Sequence, residues 1–332
     1  MAEFKLLGPT GGGLRAVDSK QILSTYSQLP SVSPVMKKLI LLALFSASFI
    51  AARIDAQVTL LYNNDFPTDQ IAAATRPESA GKFEIESADD FLLPTGAHIT
   101  SATFTGLLPS GFQISSVANV RVEIYRVFPN DSDVGRTSGP PTFSTPQVPT
   151  RVNSPSDVAL LERSKSDGNL SFTASLLSAT FTASNSVQPG GIHPQPGQTT
   201  GGNGAITGEE VRFAIDFTNP LNLSPGHYFF VPQVELSGAD DNFFWLSANR
   251  PIVPPGTPFP VGVTDLQAWT RDANLDPDWL RIGTDIVGGN PAPTFNAAFS
   301  LTGIAPDTGS TALLLGIALV AMAWLRRRAL AR

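Results

Sequence analysis

Three histidines, 28 carboxylates and no cysteine set the chemistry open to this 332-residue chain. Without cysteine there is no disulfide, no thiol nucleophile, no thiolate metal site and no lipid-bearing cysteine. His98, His193 and His227 stand far apart, and none forms a spaced pair. A histidine-based zinc site would need them to converge with carboxylates. The same scarcity leaves little for a Ser-His-Asp triad. No Gly-x-Ser-x-Gly elbow, Walker loop or dinucleotide fingerprint occurs.

The carboxylates fall in clusters: Asp89-Asp90, Asp131 with Asp133, Asp240-Asp241, and Asp272 with Asp276 and Asp278. Calcium takes six to eight oxygen ligands from such loops. The run Asn130-Asp131-Ser132-Asp133-Val134-Gly135 has part of a calcium loop's spacing, but it lacks a carboxylate before the glycine and a closing glutamate. Structural calcium and solvated turn residues that cap local N–H groups are the two readings. No other cofactor is implied. Glycoside hydrolysis would need two facing carboxylates beside a groove, and the sequence nominates no pair. Aromatic residues offer a third chemistry, because exposed rings stack on sugar faces. Trp245 lies in a strand-like run, as a core residue does. Trp269 and Trp279 flank the acidic segment Arg271–Asp278. They are either ordinary packing or exposed contacts for a carbohydrate.

Charge narrows the partners. Between Gln57 and Ile304 there are 24 Asp and Glu against 12 Lys and Arg, a net charge of −12. A domain this acidic does not suit nucleic acid, whose phosphates need a basic face.

The elements that would position these residues are strands. Gly and Pro contribute 28 residues each, with Pro above its usual share of ~5%. That favours short strands and turns over long helices. Only 15% of residues are charged and 42% are hydrophobic, a balance that can build a packed core. Val120, Val122 and Ile124 alternate with Arg121, Glu123 and Tyr125. Val211, Phe213, Ile215 and Phe217 alternate with Arg212, Ala214 and Asp216, and Phe295–Thr302 repeats the pattern. Period two marks a strand with one wet face. Further strands are predicted at Val58–Tyr62, Ile99–Leu107, Leu170–Ala183, Tyr228–Leu236 and Asn242–Leu246. Asp167-Gly168 predicts a tight hairpin, and Ser224-Pro225-Gly226 and Pro254-Pro255-Gly256 predict breaks. Long loops are expected at Pro129–Ser156 and Ser184–Gly208. The reading is an all-β fold, an antiparallel β-sandwich of jelly-roll type over 57–304, with an up-and-down barrel as the alternative.

The two ends have a different character. Met36-Lys37-Lys38, the apolar run Leu39–Phe45 and the small residues through Ala56 form the layout of a secretory signal peptide over 36–56. Cleavage is expected between Ala56 and Gln57, with Ala52 as a second position. Residues 1–35 read as an upstream extension without a fold, with Met36 as the true start. At the other end, 305–332 combines Pro306, Asp307, Thr308, Gly309, Ser310 and Thr311 with an apolar helix over 312–325. The basic stop Arg326, Arg327 and Arg328 follows. The apolar run is a short membrane span whose arginines hold its end in the cytoplasm.

This tail resembles the PEP-CTERM class of sorting signals, most closely its VPDSG-type variant, with Ala305 and Thr308 where that variant carries Val and Ser. The resemblance covers about the last 28 residues. It implies export by a Gram-negative bacterium that makes extracellular polysaccharide, and processing by the membrane protease-transpeptidase called exosortase. The partners so implied are the general secretion machinery, signal peptidase, an exosortase-like protease, the membrane through the C-terminal helix, and extracellular polysaccharide outside. The combined expectation is a non-enzymatic surface or matrix protein. A carbohydrate-binding module and an exported hydrolase are the alternatives. The intact mass of the protein from its host's envelope and medium should correspond to a chain beginning near Gln57 and ending within 306–309. A product that retains Arg332 would identify the tail as a lasting anchor instead.

Overall fold

The computed structural model describes residues 58–79, 81–132, 152–192, 199–238, 241–249, 263–273 and 279–305. The signal peptide, the Ala56–Gln57 junction, the motif Pro306–Thr311, the apolar run 312–325 and Arg326–Arg328 lie outside the described residues. Among those described, no helix is long and apolar enough to cross a membrane.

The described chain is all-β, with fifteen strands in two sheets. The first sheet holds β1 (Val58–Asn63), β2 (Pro67–Ala74), β4 (Ala97–Leu108), β7 (Leu170–Ala183), β8 (Ser186–Val187), β9 (Ile206–Leu223), β11 (Phe244–Ala248), β14 (Asn296–Ala297) and β15 (Phe299–Ile304). The second holds β3 (Ile85–Leu93), β5 (Val117–Arg126), β6 (Leu161–Ser164), β10 (Gly226–Leu236), β12 (Trp269–Asp272) and β13 (Leu280–Arg281), in the order β13-β12-β3-β10-β5-β6. Every pairing is antiparallel except the two-residue contact of β2 with β8.

Strand β4 organises the first sheet. One edge pairs with β9 along its whole length. The other pairs with β15 up to Phe104 and with β11 at Gly106 and Leu107. A Cβ on Gly106 would stand 2.3 Å from the Phe243 ring, so glycine is what lets that ring approach the strand so closely. The register shift between Ile99 and Ser101 moves β4's buried positions from Ala97 and Ile99 to Ala102 and Phe104.

The alternation read from the sequence becomes burial. Val120, Val122 and Ile124 of β5, Phe213 and Ile215 of β9, and Phe299 and Leu301 of β15 all enter one hydrophobic cluster drawn from both sheets. Phe299 is its centre. Its ring stacks on Tyr62 at 4.5 Å and on Phe230 at 4.9 Å, and it meets Trp245 edge-on at 5.7 Å. Tyr62 and Trp245 come from the first sheet and Phe230 from the second, so one residue ties the two together. Trp245 is buried as expected, and its Nε1 donates to Ala298 O at 2.9 Å.

The turn at Asp167-Gly168 forms, with Gly168 at φ +68°, but it is no hairpin. It joins β6 of the second sheet to β7 of the first, and Ser224-Pro225 likewise joins β9 to β10. The expected loop Ser184–Gly208 carries β8 and the start of β9. Phe299→Ala should lower unfolding stability by about 3–5 kcal/mol, the range for large-to-small changes in a packed core, as measured by denaturant titration.

Candidate functional site

Strand β3 reads Ile-Glu-Ser-Ala-Asp-Asp-Phe-Leu-Leu and carries three carboxylates into the interior, Glu86, Asp89 and Asp90. It does so because both of its faces are covered. Ile85, Phe91 and Leu93 enter the hydrophobic clusters on one face. On the other, Ala88 packs with Tyr125, Phe229, Val231, Leu266, Trp269 and Trp279 in a separate cluster.

Glu86 lies on that second face and is met by Arg271 of β12. The Arg271 Nε donates to Glu86 Oε2, Nη1 donates to Asp157 O at 3.1 Å and Nη2 to the Tyr125 hydroxyl at 3.3 Å. The guanidinium carbon stands 4.4 Å from the Trp279 ring centroid, within the reach of a cation–π contact. Tyr125 donates to Glu86 Oε1 and also lies 3.3 Å from Glu123 Oε2. One hydroxyl proton cannot serve two carboxylates. The arrangement closes when Glu123 is itself protonated and donates to the hydroxyl oxygen. Burial, and then the negative charge of Glu86, push the Glu123 carboxyl well above the ordinary range, which agrees with that proton assignment. Burial also raises Glu84, whose carboxylate is 3.1 Å from Arg121 and accepts from Gln233 at 3.0 Å.

Asp90 is the joint between this network and a neighbouring segment. Its oxygens accept from the backbone N–H of Leu266 at 3.1 Å and of Gln267 at 3.0 Å, and pair with His227 Nε2. These contacts hold Gln267 at φ +65°. Asp89 points the opposite way, toward β14, and accepts from Ala297 N at 2.9 Å. Asn64 donates to Ala297 O at 3.3 Å, so the two side chains approach the same backbone edge. Among the described residues, Asp89 Oδ1 and Asn64 Oδ1 have no hydrogen-bond partner. Burial and the adjacent Asp90 push Asp89 well above the ordinary carboxylate range.

Trp269 and Trp279 are not sugar platforms. They are 1% and 2% exposed, and their Nε1 atoms donate to Leu266 O and Ser156 O, both at 2.9 Å. The segments around 156 and 266 cover the outer face of the second sheet, and the two indoles fill the space between. The same cover corrects the wet face expected of β5, where Glu123 and Tyr125 are buried. Asp131 is held by both arms of Arg126, at 2.6 and 2.7 Å, which commits it to an ion pair. Asp133, Asp240, Asp276, Asp278 and His193 lie outside the described residues. His98 meets Asn222 on the surface. Among the described residues no group of three or more His, Asp or Glu is placed to hold a metal ion.

An open groove of about 310 Å³ lies elsewhere, beside the end of β4. Leu107, Leu108, Ile206 and Phe244 form its apolar side, and Gln188, Thr207, Asp241 and Asn242 its polar side. Its volume is at the low end of small-ligand pockets. The sequence singled out Asp241 as part of an acidic cluster, but not the groove, whose lining comes from four separate segments. The buried network was equally hidden. Its one available signal was β3, where consecutive acidic residues sit inside an otherwise apolar run.

No protein family, curated protein or solved structure matches this chain. Its chemistry therefore rests on its own geometry.

The network makes a paired prediction. Arg271→Ala leaves Glu86 buried without its cation and should cost about 3–5 kcal/mol. A carboxyl whose folded value is raised favours the fold at low pH, and that advantage is lost as pH climbs from the ordinary Glu value of about 4.3 toward the raised one. Glu123→Gln should therefore retain or raise stability at pH 8 and reduce the fall between pH 5 and pH 8. Denaturant midpoints at the two pH values measure both effects.

Proposed function

We propose that this chain is an exported cell-surface or extracellular-matrix protein whose β-domain, a jelly-roll-like sandwich, has a structural or adhesive role. The signal peptide from Met36 would deliver it, and the tail from Pro306 would sort it. The observation that carries the non-enzymatic part of this reading is the inward commitment of the reactive side chains. Glu86, Glu123, Arg271, Trp269 and Trp279 are all buried, and they bind one another or the backbone. Carboxylates that share a tyrosine beneath an indole are closed to a polymeric substrate, which disfavours an exported hydrolase built on them. Low charge and a large aromatic core suit a domain whose task is to persist outside the cell.

A second reading, a carbohydrate-binding surface module, is favoured by the groove at Phe244. An apolar side facing a polar rim that holds one carboxylate, Asp241, suits a sugar ring with its hydroxyls. In this reading the contacts are Phe244, Gln188 and Asp241, not the tryptophans.

Protease added to intact host cells should degrade the domain. Replacing Pro306 and Asp307 with alanine should leave a longer, membrane-retained form. Protection of the domain in intact cells would defeat the export reading. Asp241→Asn should weaken retention of the protein on the host's own polysaccharide several-fold if the second reading holds, and leave it unchanged if the role is structural.

A further inference from the structure

Among the described residues, strand β7 is an open edge that pairs only with β9. Ser171, Thr173 and Ser175 are exposed, and Leu176 and Leu177 are 53% and 46% exposed. No Asp, Glu, Lys or Arg occurs between Asp167 and Glu209, although the domain is strongly acidic. Natural sheets usually protect a long edge with charge or proline, and β7 has neither along its 14 residues.

Its sequence is also a chemical palindrome. Read outward from the Leu176–Leu177 bond, Ser175 matches Ser178, Ala174 matches Ala179, Thr173 matches Thr180 and Phe172 matches Phe181. An antiparallel pair of identical strands about a two-fold axis sets each residue opposite its palindromic mate. Opposed residues must also point to the same face. In a regular strand Ser175 and Ser178 point to opposite faces. Here the register against β9 shifts between Leu176 and Ser178. The extra residue puts both leucines on one face and both serines on the other. A second shift between Ser178 and Phe181 ends the agreement, so the stretch whose facing matches is Ser175–Ser178.

We propose that β7 is a homodimer edge, at which a second copy of this chain pairs antiparallel about a two-fold axis between Leu176 and Leu177. The self-matching stretch names the occupant. Neutrality supports it, because two acidic domains repel least along an uncharged strand. The far edge of β7 is taken by β9, so the assembly closes at two copies rather than growing into a fibre.

The absence of cysteine gives a clean test on the full-length protein in its host's envelope. A chain carrying both Ser175→Cys and Ser178→Cys should form a two-chain species under mild oxidation, seen on a non-reducing gel. Within one chain the two positions oppose Arg212 and Glu210, two residues apart on β9, so they stand about 7 Å apart, at the outer limit of disulfide reach. A bridge there would leave a one-chain species that the gel separates from the dimer. Either single variant should yield several-fold less of it. Leu176→Lys with Leu177→Lys should shift the native mass from two chains to one. No covalent dimer from the double variant, or equal yields from the single variants, would overturn the proposal.

Discussion

A guanidinium does not lose its proton inside a protein, so burying Arg271 obliges the chain to surround it with acceptors. Glu86, the Tyr125 hydroxyl, the Asp157 carbonyl and the Trp279 ring take that role. Each comes from a different segment, and together they fix β12, β3, β5 and the connection before β6 around one cation. The remaining chemistry of this region follows from that placement. Glu86 pairs with Arg271, Tyr125 bridges to Glu123, and burial and the charge of Glu86 press Glu123 toward its neutral form. The segments that shield the network from water are the ones that enclose the two indoles.

Strand β3 is the hinge between this polar layer and the aromatic core. Phe91 and Leu93 look toward Phe299 and its companions, while Glu86 and Ala88 look toward Arg271 and the buried indoles. With both faces covered, the second sheet has little surface left for a ligand. Among the described residues, the groove beside Phe244 and the edge of β7 lie on the first sheet. Those two features carry the proposed sugar contact and the proposed pairing with a second copy.

Strands whose side chains alternate in type were legible in advance, as in β5, β9 and β15, and β7 has the bounds its composition predicted, although the wet face that alternation implies is covered in β5. Strands without that alternation were not. β3 mixes acids with aromatics, and β12 is four residues long, so neither has a period to detect. β2 opens on proline and ends on three alanines, which carry little strand preference of their own. Trp269 and Trp279 were left between packing and sugar contact for a related reason, and the structure decides for packing. A ring beside acidic residues looks exposed until a counter-charge is found, and Arg271 was counted as part of the acidic segment.

The sequence alone determined the all-β character, the acidity, the lack of thiol chemistry and the signal-like ends. Each of these depends on residue type and on spacing along the chain. Tertiary structure alone decided which side of each strand meets water, where the carboxylates find donors, and that residues from four segments line one groove. Those properties depend on distances between segments far apart in sequence. A buried charge is tolerated only where such a segment brings its partner, and periodicity within one strand carries no record of that.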